Sequence, residues 1–423
     1  MPFNIGLTGL NAAASGLDVT GNNIANVDTT GFKQSRAEFG DIFAHTFTTV
    51  SKTAIGQGVR VLSVSQLFSQ GSIKLTGNGL DLAVNGEGFF VLKDTDDSVV
   101  YSRAGEYQVN REGYVVNNSG QRLQGYEPVD PNDTDTTFNV GTLSDIQLTT
   151  GEAQPKATTE INALVNLTSD AEPPVNPLAA GDIDPAPDQY NFSTSVTVYD
   201  SLGTPRMATT YFVKTPNQLE WEVFVGMEDD ANPGQTTLIS GPDTITFTSQ
   251  GEVVTPAEIT IQYPGPAPAT FNNGANALDM TLDLAGSTQY GVKYSVNDLN
   301  QNGWTTGRLS GIDIDETGRV FARFTNGQSE ILSQVALANF TNPQGLVQLG
   351  NNNWAETFAA GDPVYGAPMT GDLGGIEAGA LEQSNVDLTE ELVDLIVGQR
   401  NYQANAKTIQ TADAITQTII NIR

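Results

Sequence analysis

The chain has 423 residues, no cysteine and a net charge of −30, with 49 acidic against 19 basic side chains. That balance argues against nucleic acid and against insertion into or binding to an anionic membrane, and the lack of cysteine removes disulfides and thiol chemistry. The length allows two to four domains with ample core, while no stretch approaches eighteen apolar residues and Met1–Gly16 lacks the basic start and apolar run of a classical secretion signal.

The first element is helical. Phe3, Leu7, Leu10, Ala14, Leu17, Gly21 and Ile24 recur at alternating steps of four and three, the spacing of one apolar stripe along a helix. It is a weak helix, because Gly6, Gly9, Gly16 and Gly21 each cost about 1 kcal/mol relative to alanine. Gly9 and Gly16, with Ala12–Ala14, permit another helix to approach closely. The pattern then breaks at Asp28, Thr29, Thr30 and Gly31.

Residues 34–71 pass from helix to extended structure, with Val59, Val61 and Val64 in near alternation. His45 has no second histidine and no carboxylate pair beside it, so it is read as a surface or packing residue. From Gly71 to about Asp145 the period is two. Runs 80–84, 88–92, 107–109 and 114–116 read as strands, with Asn85-Gly86 and Glu112-Gly113 as hairpin turns. Gly77, Gly79, Gly86 and Gly88 match neither the dinucleotide nor the phosphate-loop spacing. Residues 127–150, rich in Pro, Asp and Thr, read as a linker.

A second β-rich unit follows. Runs 195–199 and 208–213 form a hairpin, 219–225 alternates, 245–248 and 259–261 add strands, and the proline-rich 172–187 is a surface loop. Residues 151–290 hold three basic against eighteen acidic side chains, whereas charges cancel in residues 1–70 and leave only −2 in residues 384–423. Near-neutral ends can pack against copies of themselves, and an acidic middle faces water. Residues 289–378 return to the earlier β pattern. Asp313, Asp315 and Gly318 start like a calcium loop, but Phe324 stands where a bidentate glutamate belongs, so this is a hairpin turn. No histidine pair, no G-x-S-x-G and no acid/base pair stands out. The chain is read as a non-enzyme with no cofactor and no metal.

The last forty residues, 384–423, hold no proline and one glycine. Leu388, Leu392, Leu395, Gln399, Tyr402, Ala406 and Ile409 form a stripe that drifts by one position and continues through Ala412, Ile415, Ile419 and Ile422. Ser384 or Asn385 can cap this helix, and Asp387, Glu390 and Glu391 lie where its dipole favours anions. The two terminal stripes predict that the ends pair as coiled-coil-like helices in a polymer, through Phe3, Leu7, Leu10, Leu17, Ile24, Leu388, Leu392, Leu395, Tyr402, Ala406, Ile409, Ile415, Ile419 and Ile422. Their poor cohesion predicts disordered ends in a lone subunit, ordered when many copies pack.

Two motifs are long and specific. The run Gly21-Asn22-Asn23-Ile24-Ala25-Asn26-Val27-Asp28-Thr29-Thr30-Gly31-Phe32-Lys33 resembles the amino-terminal signature of the bacterial flagellar rod and hook axial proteins. Gly379–Leu388, with Ser384, Asn385, Val386 and Asp387, continuing through Gln399-Arg400-Asn401-Tyr402-Gln403-Ala404-Asn405, resembles the other end of the same family. Residues 80–94, 101–126, 334–340 and 345–354 are also similar to it, and 196–206 is similar to its hook branch. The resemblance implies a mainly β, nested multidomain subunit: terminal helices (1–33 and 384–423), connecting segments (34–71 and 374–383), an inner β domain (72–148 and 289–373) and an inserted outer β domain (149–288). It further implies a self-assembling subunit of a curved tube that acts as a universal joint. Its partners would be copies of itself, the rod, the hook-capping and hook–filament junction proteins, and the flagellar type III export apparatus, with export outside the cell needing no cleaved signal. A distal rod subunit of the family and a secreted acidic β-rich adhesin are the alternatives, the first disfavoured by the long insertion.

Overall fold

The computed structural model describes residues 2–42, 56–130, 136–148, 151–228, 234–254, 257–264 and 271–421. His45, Ile422, the side chain of Ile419 and residues 131–135 of the expected linker lie outside what is described.

The protein is mainly β, with one long helix at each end, α1 (Pro2–Ala25) and α2 (Leu388–Asn421). α1 stops eight residues short of Lys33, where Asn26 turns back and donates from its backbone and side-chain nitrogens to the carbonyl of Asn22. α2 starts later than expected. Asp387 Oδ1 caps it by accepting the N–H groups of Thr389 (2.7 Å) and Glu390 (3.3 Å), which satisfies two of the orphan donors of the first turn. Asn385 is committed elsewhere: its Nδ2 donates to the Leu67 carbonyl (2.8 Å) and its Oδ1 accepts from Gln34 N (2.7 Å).

Two compact units carry the strands, one of residues 1–150, 310–323 and 329–423, the other of residues 151–309 and 324–328. In the first, a hairpin of β1 (Ser35–Asp41) and β2 (Val59–Gln66) runs antiparallel, Ser35 opposite Gln66, with a bulge at Glu38 and Phe39. The hairpin lies beside α1, where a Cβ on Gly16 would sit 3.6 Å from the Phe39 ring. The main sheet centres on strand Phe89–Lys93, which pairs with Val99–Ser102, Arg122–Tyr126 and Leu337–Asn339. Alternation sends Phe90 and Leu92 into one apolar cluster with Leu82, Leu123 and Val335, and Phe89 and Val91 into a second with Tyr101, Phe340 and Trp354. Edge-on aromatic contacts close the second cluster, Phe68 standing 5.4 Å from Phe89 and 5.6 Å from Trp354.

Two readings of this unit change and a third, the turn at Gly318, stands. Asn85-Gly86 closes no hairpin, because strand Leu82–Asn85 pairs with Gly375–Ala378 in a separate two-stranded sheet. Gly86 has a φ of 120°, and a Cβ there would come within 2.9 Å of Gly374, so the chain uses it to leave one sheet for the other. The end of the expected linker is core: Ile146 and Leu148 are buried, and Ser144–Asp145 pairs with Gln124 and Gly125. The turn at Gly318 is a hairpin turn, in which Asp315 Oδ1 accepts the N–H groups of Thr317 and Arg319, both at 2.9 Å.

The second unit packs two sheets on one core. Four antiparallel strands, Phe192–Tyr199, Pro205–Lys214, Glu220–Glu228 and Thr236–Thr246, contribute Phe212, Trp221 and Val223. The other sheet is built on Glu160–Thr168, parallel to Leu278–Asp283 and Thr288–Tyr290 and antiparallel to Ser295–Gln301 on its other edge. This strand moves the boundary expected at residue 288 to Leu309. Ser295–Gln301 is mostly polar and gives no alternation to read; it is recruited because the buried strand needs both edges paired. A turn of this unit is held by Asp200, fully buried, whose carboxylate accepts Thr204 N (2.9 Å), Leu202 N (3.0 Å) and Asn273 Nδ2 (2.8 Å). Burial alone would raise the Asp200 pKa, but these bonds and Arg206 outweigh it and hold the carboxyl below its ordinary value.

Candidate self-assembly surface

The surface is built on the α1–α2 pair. The helices meet where α1 carries glycine: a Cβ on Gly6 would come within 2.8 Å of Thr408 Oγ1, and one on Gly9 within 2.5 Å of Asn405 Oδ1. On α2, a Cβ at Gly398 would lie 2.9 Å from Leu17. Gly9 thus has the role expected of it. Gly16 does not, since nothing of α2 comes within 4 Å of its absent side chain.

The covered positions of α2 are Glu391, Leu395, Gly398, Asn405, Ala406, Ile409 and Ala412. Leu395, Ala406 and Ile409 belong to the expected stripe. Leu388 and Leu392 do not join them and are 43% and 46% exposed. The register near the start of α2 is set by polar contacts instead. Glu391 is buried and its Oε1 accepts from Asn23 Nδ2 (2.9 Å) and Gln34 Nε2 (2.7 Å), while Asn23 Oδ1 accepts from Ser35 N (2.9 Å). That network turns Glu391 inward and Leu388 and Leu392 outward. On α1, Leu10, Leu17 and Ile24 are partly covered, whereas Phe3 is 50% exposed and Leu7 is open too. Tyr402 and Ile415 are exposed as well. Among the described residues the helix pair therefore covers part of each stripe and leaves Phe3, Leu7, Leu388, Leu392, Tyr402 and Ile415 in water.

Below the helices lies a buried ionic cluster. Glu382 Oε1 accepts from Lys33 Nζ (2.7 Å) and from Gly71 N (2.9 Å), and its Oε2 from Arg103 Nη1 (3.3 Å). Lys33 Nζ also donates to the Ser69 carbonyl (2.8 Å), and Arg103 Nη2 to the Gly86 carbonyl (2.9 Å). Burial pulls the pKa of both cations down, opposed by Glu382. The cluster ties the chain after α1, the chain before α2 and the inner sheet together. Gly31, with a φ of 68°, passes so close to the backbone at Ala104 that a Cβ would sit 2.5 Å from its nitrogen. Its N–H donates to the Glu382 carbonyl (2.8 Å), and Asn352 Nδ2 donates to the Thr30 carbonyl (2.7 Å).

The motif residues divide between these two places. Asn22 and Asn26 close α1, and Asn23 registers α2. Gly31 and the buried Phe32 seat the turn; Ser384 Oγ accepts Val386 N (3.3 Å); Val386 is buried and Asp387 caps. Ala25, Arg400 and Asn401 are exposed and hold neither. The roles of Glu382, Arg103 and Glu391 were missed from sequence, because lone charges in β and helical stretches look like solvated ones.

Residues 3–33 match the family described as Flagella basal body rod protein, 83–161 the Flagellar hook protein FlgE/F/G D1 domain, 166–304 the Flagellar basal body protein FlaE D2 domain, and 377–422 the Flagellar basal body rod FlgEFG protein C-terminal. The chain is 38% identical to the flagellar hook protein FlgE of Salmonella typhimurium over the whole of both chains. It is 31% identical to that of Borreliella burgdorferi over 99% of this chain and 98% of the relative. The crystal structure of the Helicobacter pylori flagellar hook protein FlgE2 shares its fold with a TM-score of 0.53 at 17% identity, covering 73% of this chain and all of that one.

Proposed function

The chain belongs to the flagellar hook protein family and is a structural subunit of the bacterial flagellar hook, and on that premise we propose that it polymerises through its terminal helices into a curved tube that carries torque as a universal joint. The observation that carries this reading is the apolar surface left open on the helix pair, where Phe3, Leu7, Leu388, Leu392, Val393 and Ile396 all stand exposed. Apolar area exposed on helices is stabilised when a neighbour removes it from water. The buried cluster at Glu382 supplies the second need of a joint, a stiff connection between the helices and the inner sheet. Copies of this chain are the first partners; the rod, the hook-capping and hook–filament junction proteins and the type III export apparatus follow from the same reading, as does a place outside the cell reached without a cleaved signal. Its role is mechanical, not enzymatic.

Electron microscopy of the concentrated full chain is expected to show curved tubes. A chain lacking residues 1–27 is expected to form none while keeping its β circular dichroism. Tubes formed by that truncated chain would contradict the role given to α1.

A further inference from the structure

The α1–α2 pair and the β1–β2 hairpin enclose an open groove of about 760 Å³. Its floor is made of small and apolar residues, among them Gly9, Ala12, Ala13, Gly16 and Phe39. One wall is α2, with Asp394, Val397 and Asn401. Glu390 lies one turn before Asp394 on that same side of the helix, since four residues bring the chain round to almost the same angle. The opposite side of α2, turned away from α1, has a different character. Leu392, Val393 and Ile396 stand 46%, 55% and 49% exposed, and Arg400 and Lys407 continue that face as exposed cations. Asp394 and Arg400 are each without an ion-pair partner among the described residues. Among the described residues the chain thus carries an acidic-walled apolar groove and a basic-tipped apolar ridge, neither covered by another element. Side chains of one helix can enter such a groove without the crowding that large floor residues would cause.

Resting on the assembly reading, we propose that the groove is the seat for the α2 ridge of a second copy. Leu392, Val393 and Ile396 of that copy enter over Ala13 and Gly16, and its Arg400 lies against Asp394 and Glu390. Within one chain the ridge points away from the groove, so the contact is available only between copies. It joins the subunits in one direction, groove to ridge, and such a head-to-tail contact generates an open helical array.

The absence of cysteine from the chain makes the test clean. Subunits carrying Ala13→Cys are mixed with subunits carrying Ile396→Cys, polymerised and oxidised. Tubes containing a disulfide-linked dimer of one variant with the other, identified by mass spectrometry, support the pairing. Tubes without that dimer overturn it and leave the assembly reading standing, whereas a full-length chain that forms no tubes at all overturns both. In a second arm, Asp394→Arg and Arg400→Asp are each expected to lower tube yield about tenfold, and the double variant to recover most of it. A double variant as poor as the singles contradicts the contact.

Discussion

Glu382 is the residue on which the connection between helices and sheet depends most. It is fully buried between Lys33 and Arg103, both of which burial already disfavours as cations. Removing it strands two buried charges, so Glu382→Ala is expected to destabilise the unit by about 3–5 kcal/mol, while Lys33→Met, which keeps the Arg103–Glu382 pair, costs far less. Urea-dependent hydrogen exchange of peptides spanning 82–126 measures both, and equal losses would contradict this ranking. Asp200 gives a pH prediction for the other unit. Its native carboxyl takes up a proton less readily than in the unfolded chain, so in acid the unfolded state binds more protons. The stability it contributes is complete above the ordinary aspartate value of about 4 and is lost as pH falls through the lower native value. Asp200→Asn should flatten that decline in the stability of residues 151–309; an unchanged slope would count against it.

At the scale of elements, the helix pair is a compromise between close approach and helix propensity. Gly9 serves the first, and Gly9→Val would drive a branched side chain into Asn405. Gly21 serves neither, as nothing lies within 4 Å of where its Cβ would be. Gly21→Ala should therefore strengthen α1 by roughly 1 kcal/mol, and Gly9→Val should raise the protein concentration needed for tubes, both read from sedimentation of polymer. The reverse order would contradict the packing described. Periodicity made both helices legible, together with most strands and the hairpin pairing Phe192–Tyr199 with Pro205–Lys214. It failed where polar groups decide. The first turns of α2 follow Glu391 and its hydrogen bonds, so a stripe drawn through Leu388 and Leu392 picked the open face. The cap fell to Asp387 because Asn385 had partners distant in sequence, and no local pattern records those. Ser295–Gln301 became a strand through what it pairs with, its own residues giving no sign.

At the scale of the whole molecule, well-filled β cores contrast with thinly covered ends. The inner clusters bury Phe90, Leu92, Trp354 and their neighbours almost completely, whereas among the described side chains of α1 the apolar one most hidden from water is that of Ala12. Order at the ends then depends on surface that only other subunits can supply. Amide hydrogen exchange of α1 and α2, compared between dilute subunits and assembled tubes, tests this directly. Fast exchange is expected in both helices of the dilute subunit, slow exchange in the tube, and strong protection of the β cores in each. Slow exchange throughout α1 and α2 in the dilute subunit would contradict it.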